Sequence, residues 1–277
     1  MLIDKKTLVP CGKCVACRIA YSREWSMRLV HEASTSGSSV FLTLTYSDEF
    51  LPLDLSLSVS SLQKFIKRLR KRFSDRLIKY FSCGEYGEKS FRPHYHLIVF
   101  GLSFNELDCY RVSRDVYSSR VLEFVWTNGF NSVGFVTPDS TRYVTDYVFK
   151  KYSGEKAKEF YGEKQIPFKL SSNGLGLSYA LSDRERLELN LGLTYKGKKV
   201  GLPRYYANKL SIDKNLLRQR GLMSQVEFYE HYKEEFQLPA IDFFSWSVLR
   251  AAVSIPHRAR EINLKGRVRH FRGERIL

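Results

Sequence analysis

Residues 92–101, with the sequence RPHYHLIVFG, constrain the fold more than any other stretch, because an apolar run follows directly on two histidines. Such a run is typical of a buried strand bounded by turns. In a strand, residues i and i+2 point to the same face, so His94 and His96 project together while Tyr95 and Leu97 face the other way. The stretch therefore predicts a core strand with a pair of imidazoles on one face.

The segments around this run carry further helix and strand patterns. Residues 76–87 predict a strand that pairs with residues 92–101 as a hairpin. In chain order, the first half predicts a helix (15–35), a strand (40–46), a helix (61–73), the two hairpin strands, a less regular segment (102–126), a short strand and a helix (139–152). This order favours an α+β domain with an antiparallel sheet and helices packed on it.

The chain is strongly basic. Of its 277 residues, 45 are Lys or Arg and 29 are Asp or Glu, which gives a formal net charge of +16. This charge favours a polyanionic partner, with nucleic acid as the first interpretation and an anionic membrane surface as the lesser one. The polar face of the helix predicted at 61–73 is basic too, which favours DNA contact there. No stretch approaches the roughly 20 apolar residues that cross a bilayer, and the N-terminus lacks a signal-peptide core, so we expect no membrane association and a cytoplasmic protein.

A carboxylate is expected beside the two histidines. A hairpin that turns between residues 86 and 93 places Glu85 opposite them, whereas Glu88 lies further into the turn. Two imidazoles and one carboxylate form a donor set for a divalent metal ion. The set does not identify a reaction, because it suits non-haem Fe(II) oxygenases as well as Mg²⁺- or Mn²⁺-assisted phosphate chemistry.

Two tyrosines with helical spacing lie in the segment RYVTDYVFKKY. Tyr143 and Tyr147 are four residues apart and share a helix face, and Lys150 or Lys151 reaches the same side. A tyrosine phenol has a pKa of about 10, so it attacks poorly at neutral pH unless a neighbouring charge stabilises the phenolate or the target. A lysine serves the first purpose, and a metal on a scissile phosphate serves the second. The chain has 17 tyrosines, so position is what distinguishes these two.

The five cysteines exclude a complete disulfide framework, because their number is odd, and they fit a reducing compartment. Cys11, Cys14 and Cys17 offer three thiolates to a structural Zn²⁺, which needs a fourth ligand. Candidates for that ligand elsewhere in the fold are His31, Cys83 and Cys109. The other interpretation is a helix that turns small cysteines toward its packed side.

Four segments, taken in order, resemble the HUH endonucleases, which initiate rolling-circle DNA replication, and within them the replication initiation proteins of microviruses of the gokushovirus type. The similar stretches are PCGKCVACR, FLTLTY, GEYGEKSFRPHYHLIVFG and RYVTDYVFKKY, followed by GLPRYYANKL at residues 201–210. The resemblance thus extends from residue 10 to residue 210, and its metal and tyrosine motifs are the most specific.

The resemblance implies a ferredoxin-like or RRM-like antiparallel sheet, with the metal histidines on a central strand and the tyrosine helix beside it. It implies that His94, His96 and Glu85 bind Mg²⁺ or Mn²⁺. It also implies that Tyr147 or Tyr143 attacks single-stranded or supercoiled origin DNA, which leaves a 5′-phosphotyrosine and a free 3′-OH.

The same resemblance assigns the second tyrosine to cutting the regenerated origin, and Lys150 or Lys151 to stabilising phenolate or phosphate charge. Its expected partners are a host helicase and a host DNA polymerase, in the host cytoplasm. The sequence contains no Gly-x4-Gly-Lys-Ser/Thr phosphate loop, so we expect no ATPase in this chain.

The expected domains are an endonuclease domain at residues 1–155, with the cysteine-containing helix at its N-terminus, and a mostly helical accessory region at 156–277 that ends in a basic tail. Two other functions stay open. A non-catalytic nucleic-acid-binding module of RRM-like fold suits the basic charge, and an Fe(II) oxygenase shares the metal donors.

Overall fold

The computed structural model of the chain describes residues 2–4, 7–8, 11–12, 14–87, 90–114, 116–150, 155–195, 197–238, 240 and 254–271. It divides into two units, one of Ile19–Asp183 and one of Met1–Arg18 together with Arg184–Leu277. None of the described helices has both the length and the apolar character needed to cross a membrane.

The described elements are, in chain order, β1 (Leu2–Asp4), β2 (Thr7–Leu8), α1 (Val15–Thr35), β3 (Ser39–Tyr46), α2 (Val59–Arg72), β4 (Lys79–Tyr86), β5 (Pro93–Phe100), β6 (Cys109–Ser113), β7 (Val116–Ser119), α3 (Arg120–Val125), β8 (Gly129–Phe135), α4 (Pro138–Lys150), α5 (Glu155–Tyr161), β9 (Phe168–Ser171), α6 (Leu177–Ser182), α7 (Arg184–Asn190), β10 (Gly192–Tyr195), β11 (Lys198–Gly201), α8 (Arg204–Lys209), α9 (Lys214–Tyr232) and α10 (Ser254–Phe271).

The larger unit is built on an antiparallel sheet with flanking helices, which confirms the predicted α+β class. Within the described residues the sheet has seven strands in the order β6-β7-β8-β3-β5-β4-β9. Each neighbouring pair of strands is antiparallel. Strand β5 lies between β3 and β4, so both of its edges are hydrogen-bonded and its apolar run is enclosed.

Strand alternation divides the buried side chains between the two faces of the sheet. One face, here called the α2 face, packs against α2 and α3 through a cluster that includes Leu42, Leu44, Leu62, Phe65, Leu69, Tyr95, Leu97, Val99, Leu122 and Trp126. The other, called the site face, packs against α1 and α4 through Leu29, Phe81, Cys83, Ile98, Phe100 and Val144. His94 and His96 alternate with the α2-face residues of β5, so they lie on the site face as predicted.

Helix α2 forms where the apolar spacing predicts it, and it covers the face opposite to the histidines. Ser58 caps its N-terminus, because the Ser58 Oγ accepts a hydrogen bond from the backbone N–H three residues on. Part of its basic side is structural: Arg68 Nε donates to the carbonyl of Val125 at 2.8 Å, and the Arg70 guanidinium donates to the carbonyl of Ile78. DNA contact by the remaining basic residues of α2 stays a prediction.

The segment at 102–126 is more regular than the sequence predicted. It contains the β6–β7 hairpin, which extends the sheet at one edge, and the six-residue helix α3. Both strands of the hairpin are largely exposed, so they lack the apolar alternation that reveals a half-buried strand. Helix α3 is shorter than two turns, too short for a helical period to show.

Gly129, at the start of β8, occupies a position where only glycine fits, with a φ of +152°. A Cβ there would lie 2.2 Å from the Ser47 backbone nitrogen and 2.4 Å from the Thr45 carbonyl oxygen. We expect Gly129→Ala to lower the free energy of unfolding by about 3 kcal/mol, measured by urea denaturation.

Gly134→Ala in the same strand is the matched control, because its added Cβ meets only the Phe41 ring, at the ordinary contact distance of 3.6 Å. We expect a change of less than about 1 kcal/mol there. Equal losses in both variants would contradict this account of Gly129.

The smaller unit contains the predicted helical C-terminal region. Its β10–β11 hairpin pairs Gly192 with Gly201 and Tyr195 with Lys198. The segment predicted as a basic tail is helical over Ser254–Phe271. The ring of His257 in this helix stacks on Phe228 of α9 at 4.3 Å, which gives the basic segment a packing contact. The predicted domain boundary at residue 155 stays a prediction.

Candidate functional site

A cluster of two histidines and one glutamate lies at the end of the β4–β5 hairpin. The strand register places Glu85 directly opposite His94, and Cys83 opposite His96. The Nε2 atoms of His94 and His96 lie 2.7 Å and 3.0 Å from the same oxygen, Glu85 Oε1. Their three ligand atoms are all within 4.8 Å of one another, so the predicted cluster is present as a group that could hold a metal ion.

The second nitrogen of each ring has a partner that orients it. His94 Nδ1 donates to the carbonyl of Arg92 at 3.1 Å, and His96 Nδ1 lies 3.0 Å from the Thr43 hydroxyl on the neighbouring strand β3. In a neutral imidazole, a proton held at Nδ1 leaves Nε2 free to bind a metal ion. The strand pairing therefore directs both Nε2 atoms to one point.

Burial and mutual contact set the charges of the cluster. Burial acts to raise the pKa of Glu85, but the hydrogen bonds from the two histidines outweigh it and hold the pKa below its usual value. Burial lowers the pKa of His96 despite the nearby carboxylate. For His94, burial is outweighed by the hydrogen bond and the charge of Glu85, so its pKa is raised. An ionised carboxylate beside a neutral His96 is the state that a cation binds.

Helix α4 is fixed over this cluster by helix α1. The hydroxyls of Thr145 and Thr141, both buried, lie 3.0 Å and 2.9 Å from those of Ser22 and Ser26. Val144, between them in sequence, is fully buried in the core of the site face. Because both a polar and an apolar contact hold the helix, its rotation about its own axis is defined.

Tyr143 lies beside the cluster as a result of this packing. Its ring meets the His96 ring edge-on at a centroid distance of 5.2 Å, and the Phe41 ring at 6.2 Å. The side chain is 44% exposed, so it borders the cluster and remains open to a ligand. Tyr147 and Lys150 belong to the same helix, but their side chains are outside the described part of the structure. Lys151 and Glu88 are outside the described residues altogether.

Three contributors to the site have no sequence motif of their own. Thr43 and Arg92 orient the imidazoles, and their signal was only the polar alternation of β3 and the position two residues before His94. Phe130 on β8 is the third: Thr45 pairs with His94 on one side and with Phe130 on the other, so the three residues form a row across the site face. Phe130 is 67% exposed.

A second group of candidate ligands lies in the smaller unit. The ligand atoms of Cys11, Cys14 and Cys17 are within 4.8 Å of one another, as the cysteine spacing predicted.

Comparison with known proteins places the site within a family. The family model for replication-associated proteins of the ORF2 type matches residues 39–152, which include the metal-type cluster and Tyr143. The chain is 35% identical over 243 residues to the replication-associated protein ORF2 of Spiroplasma virus 4, over 82% of this chain and 72% of that protein. No solved structure matches the chain.

Two further relatives carry the same description. The replication-associated protein VP4 of Bdellovibrio phage phiMH2K is 38% identical over 152 residues, which are 51% of this chain and 48% of the relative. The replication-associated protein ORF4 of Chlamydia phage 1 is 31% identical over 254 residues, which are 87% of this chain and 61% of the relative. The chain thus spans less than two thirds of the length of these two relatives. In confirmation of the resemblance drawn from its motifs, the chain belongs to the family of replication-associated proteins of microvirus-type phages.

Proposed function

We propose that this protein is a metal-dependent HUH endonuclease that nicks and rejoins single-stranded DNA at a phage replication origin, and so starts and ends rolling-circle replication. The observation that carries the proposal is the position of Tyr143, an exposed phenol whose ring borders a cluster of two histidines and a glutamate. A nucleophile and a cation site at this separation can act on the same phosphodiester.

The donor set fits a divalent cation. Two imidazole nitrogens and one carboxylate oxygen converge from adjacent strands, and Thr43 and Arg92 hold the rings in place. We assign Mg²⁺ or Mn²⁺ to this site, with Mn²⁺ better suited to the nitrogen donors. When bound, such an ion stabilises the charge that develops on the phosphoryl oxygens.

The chemical step is a transesterification by tyrosine. The Oη of Tyr143 or Tyr147 forms a bond to phosphorus as the bond from phosphorus to the 3′ oxygen breaks. The phenolic proton is lost, and the departing 3′ oxygen gains a proton, so the products are a 5′-phosphotyrosine and a free 3′-OH. The phosphodiester linkage is conserved in number, so rejoining requires no nucleotide energy source.

The remaining predicted residues have supporting roles in this scheme. The tyrosine that does not act first accepts the regenerated origin after one round of synthesis, and the released strand is closed. Lys150 or Lys151 stabilises phenolate or phosphate charge. Because the sequence has no phosphate loop of an ATPase, we assign strand unwinding to a host helicase and synthesis to a host polymerase. The host cytoplasm stays the expected location.

The exposed ring of Phe130 supplies a place for a DNA base. It stands in one row with Thr45 and His94 on the site face, so a strand whose phosphate reaches the cluster can lay a neighbouring base on this ring. Stacking on an aromatic side chain contributes about 1–3 kcal/mol per base and tolerates any sequence.

We expect Phe130→Ala to weaken binding of single-stranded DNA by about tenfold, measured by fluorescence anisotropy with a labelled oligonucleotide, because one stacking contact is lost. Phe124→Ala is the matched control: Phe124 is 82% exposed, on α3, whose buried residues join the core of the α2 face. Equal weakening in both variants would remove Phe130 from the DNA path.

The proposed function is tested with single-stranded oligonucleotides that tile the phage genome, incubated with the protein and Mn²⁺ or Mg²⁺. We expect one oligonucleotide to be cut, with a DNA-shifted protein band on a denaturing gel that EDTA prevents. Oligonucleotides that bind tightly without a nick or an adduct would favour the non-catalytic binding module instead.

A further inference from the structure

Three cysteines before and within the first turn of α1 form a cluster that DNA cleavage does not use. The Sγ atoms of Cys11 and Cys17 are 3.8 Å apart, and all three sulfurs lie within 4.8 Å of one another. In a tetrahedral zinc site with Zn–S bonds of about 2.3 Å, neighbouring sulfurs are about 3.8 Å apart. The Cys11–Cys17 pair therefore has the spacing of two zinc ligands, whereas a disulfide needs sulfurs about 2.05 Å apart.

The backbone is shaped around the first of these sulfurs. Gly12 has a φ of +70°, which turns the chain directly after Cys11. The backbone N–H of Cys14 then points back and donates to Cys11 Sγ at 3.3 Å. An N–H donated to sulfur stabilises the thiolate form, which is the form that binds a metal ion.

The helix contributes in the same direction. The carbonyl of Cys14 accepts the hydrogen bond of the Arg18 N–H, so Cys14 begins α1 and Cys17 lies in its first turn. The N-terminus of a helix carries a partial positive charge, which lowers the free energy of nearby thiolates. Three thiolates thus meet where the backbone favours negative charge.

Exposure separates this cluster from ordinary cysteines. A free cysteine is usually buried and packs as a small apolar residue, as Cys83 does in the core of the site face. Cys11 and Cys14 are exposed instead, so the interpretation in which they line the packed side of a helix does not fit them. Their convergence needs another cause.

We propose that Cys11, Cys14 and Cys17 together bind one Zn²⁺ and that this structural site fixes the turn before α1 onto the first turn of the helix. Each thiol loses its proton on binding, so three protons are released for each ion taken up. A ligand from outside the group fills the fourth position. The proposal does not depend on the nicking activity, since none of its residues belongs to the histidine cluster.

The test counts zinc in protein that carries His94→Ala and His96→Ala, so that an ion at the other cluster is not included. We expect about one zinc per chain by plasma mass spectrometry after dialysis against metal-free buffer, as for a structural site. Adding Cys17→Ser is expected to lower the zinc content at least tenfold, whereas adding Cys109→Ser, the matched control, leaves it unchanged. Cobalt in place of zinc is expected to show an intense thiolate-to-metal charge-transfer band.

A second measurement covers a cysteine variant that does not fold. Titration of the chain with intact cysteines by a mercurial is expected to release the zinc in step with modification of three thiols. Protein without zinc whose three thiols react at once, a Cys11–Cys17 disulfide found by mass spectrometry, or bound iron with a visible absorption band would each overturn the proposal.

Discussion

The His96→Ala variant is expected to cleave origin DNA at least about a thousandfold more slowly than the wild-type protein. The imidazole is one of three donors in the cluster, and it is only 5% exposed, so no water molecule of bulk solvent replaces it in the same position without cost. A metal ion stabilises the phosphoryl transition state by several kcal/mol, and each 1.36 kcal/mol is a factor of ten in rate. Losing the ion therefore accounts for a fall of this size.

Metal binding is measured separately from activity to support this interpretation. Electron paramagnetic resonance of free Mn²⁺ reports how much ion the protein binds, and we expect His96→Ala to weaken that binding by at least tenfold. His231→Ala, an exposed histidine on α9, is the matched control and is expected to change neither quantity. A variant that no longer binds Mn²⁺ but still forms the DNA adduct would show that the cluster is not the catalytic metal site.

The metal-type cluster was predictable because it depends on local rules. The side-chain period of a strand is two residues, which puts His94 and His96 on one face whatever the rest of the fold does. A hairpin brings its two strands into a register set by the turn, and the observed pair of Glu85 with His94 follows from that register. Neither rule needs information from distant parts of the chain.

The parts that escaped prediction depend on distant contacts. Thr43 orients His96 from a strand that is 53 positions earlier in the sequence, and Ser22 meets Thr145 across 123 positions. Serine and threonine are common in loops, caps and helix surfaces, so nothing in the letters indicates that these hydroxyls fasten α1 to α4. The position of Tyr143 over His96 follows from this contact, so it became visible only in the structure.

Charge was informative about the partner and less so about its location. A net charge of +16 predicts a polyanion, but the strongest basic run in the first half lies on α2, which covers the sheet face away from the histidines. Two of its arginines hold backbone carbonyls. The uncharged ring of Phe130 stands in the same row as His94, although no basic motif marks it.

Replacing both tyrosines of α4, as Tyr143→Phe with Tyr147→Phe, is expected to abolish the covalent adduct with DNA. Phenylalanine keeps the ring, and with it the contact of Tyr143 with His96 and Phe41, but removes the oxygen that attacks phosphorus. A covalent intermediate needs its nucleophile, so the loss is expected to be complete on a denaturing gel. Metal binding is expected to remain at the wild-type level, because no donor atom is changed.

The single variants separate the two roles. Each is expected to form one adduct through the tyrosine that remains, and to lose the transfer of a strand from one tyrosine to the other, which is followed with two oligonucleotides of different length. Tyr21→Phe is the matched control, since Tyr21 is exposed to the same 44% as Tyr143 and lies on α1. An adduct in the double variant would place the nucleophile on another residue, which peptide mapping of the DNA-linked fragment would then identify. A single variant that retains full strand transfer would show that one tyrosine performs both cuts.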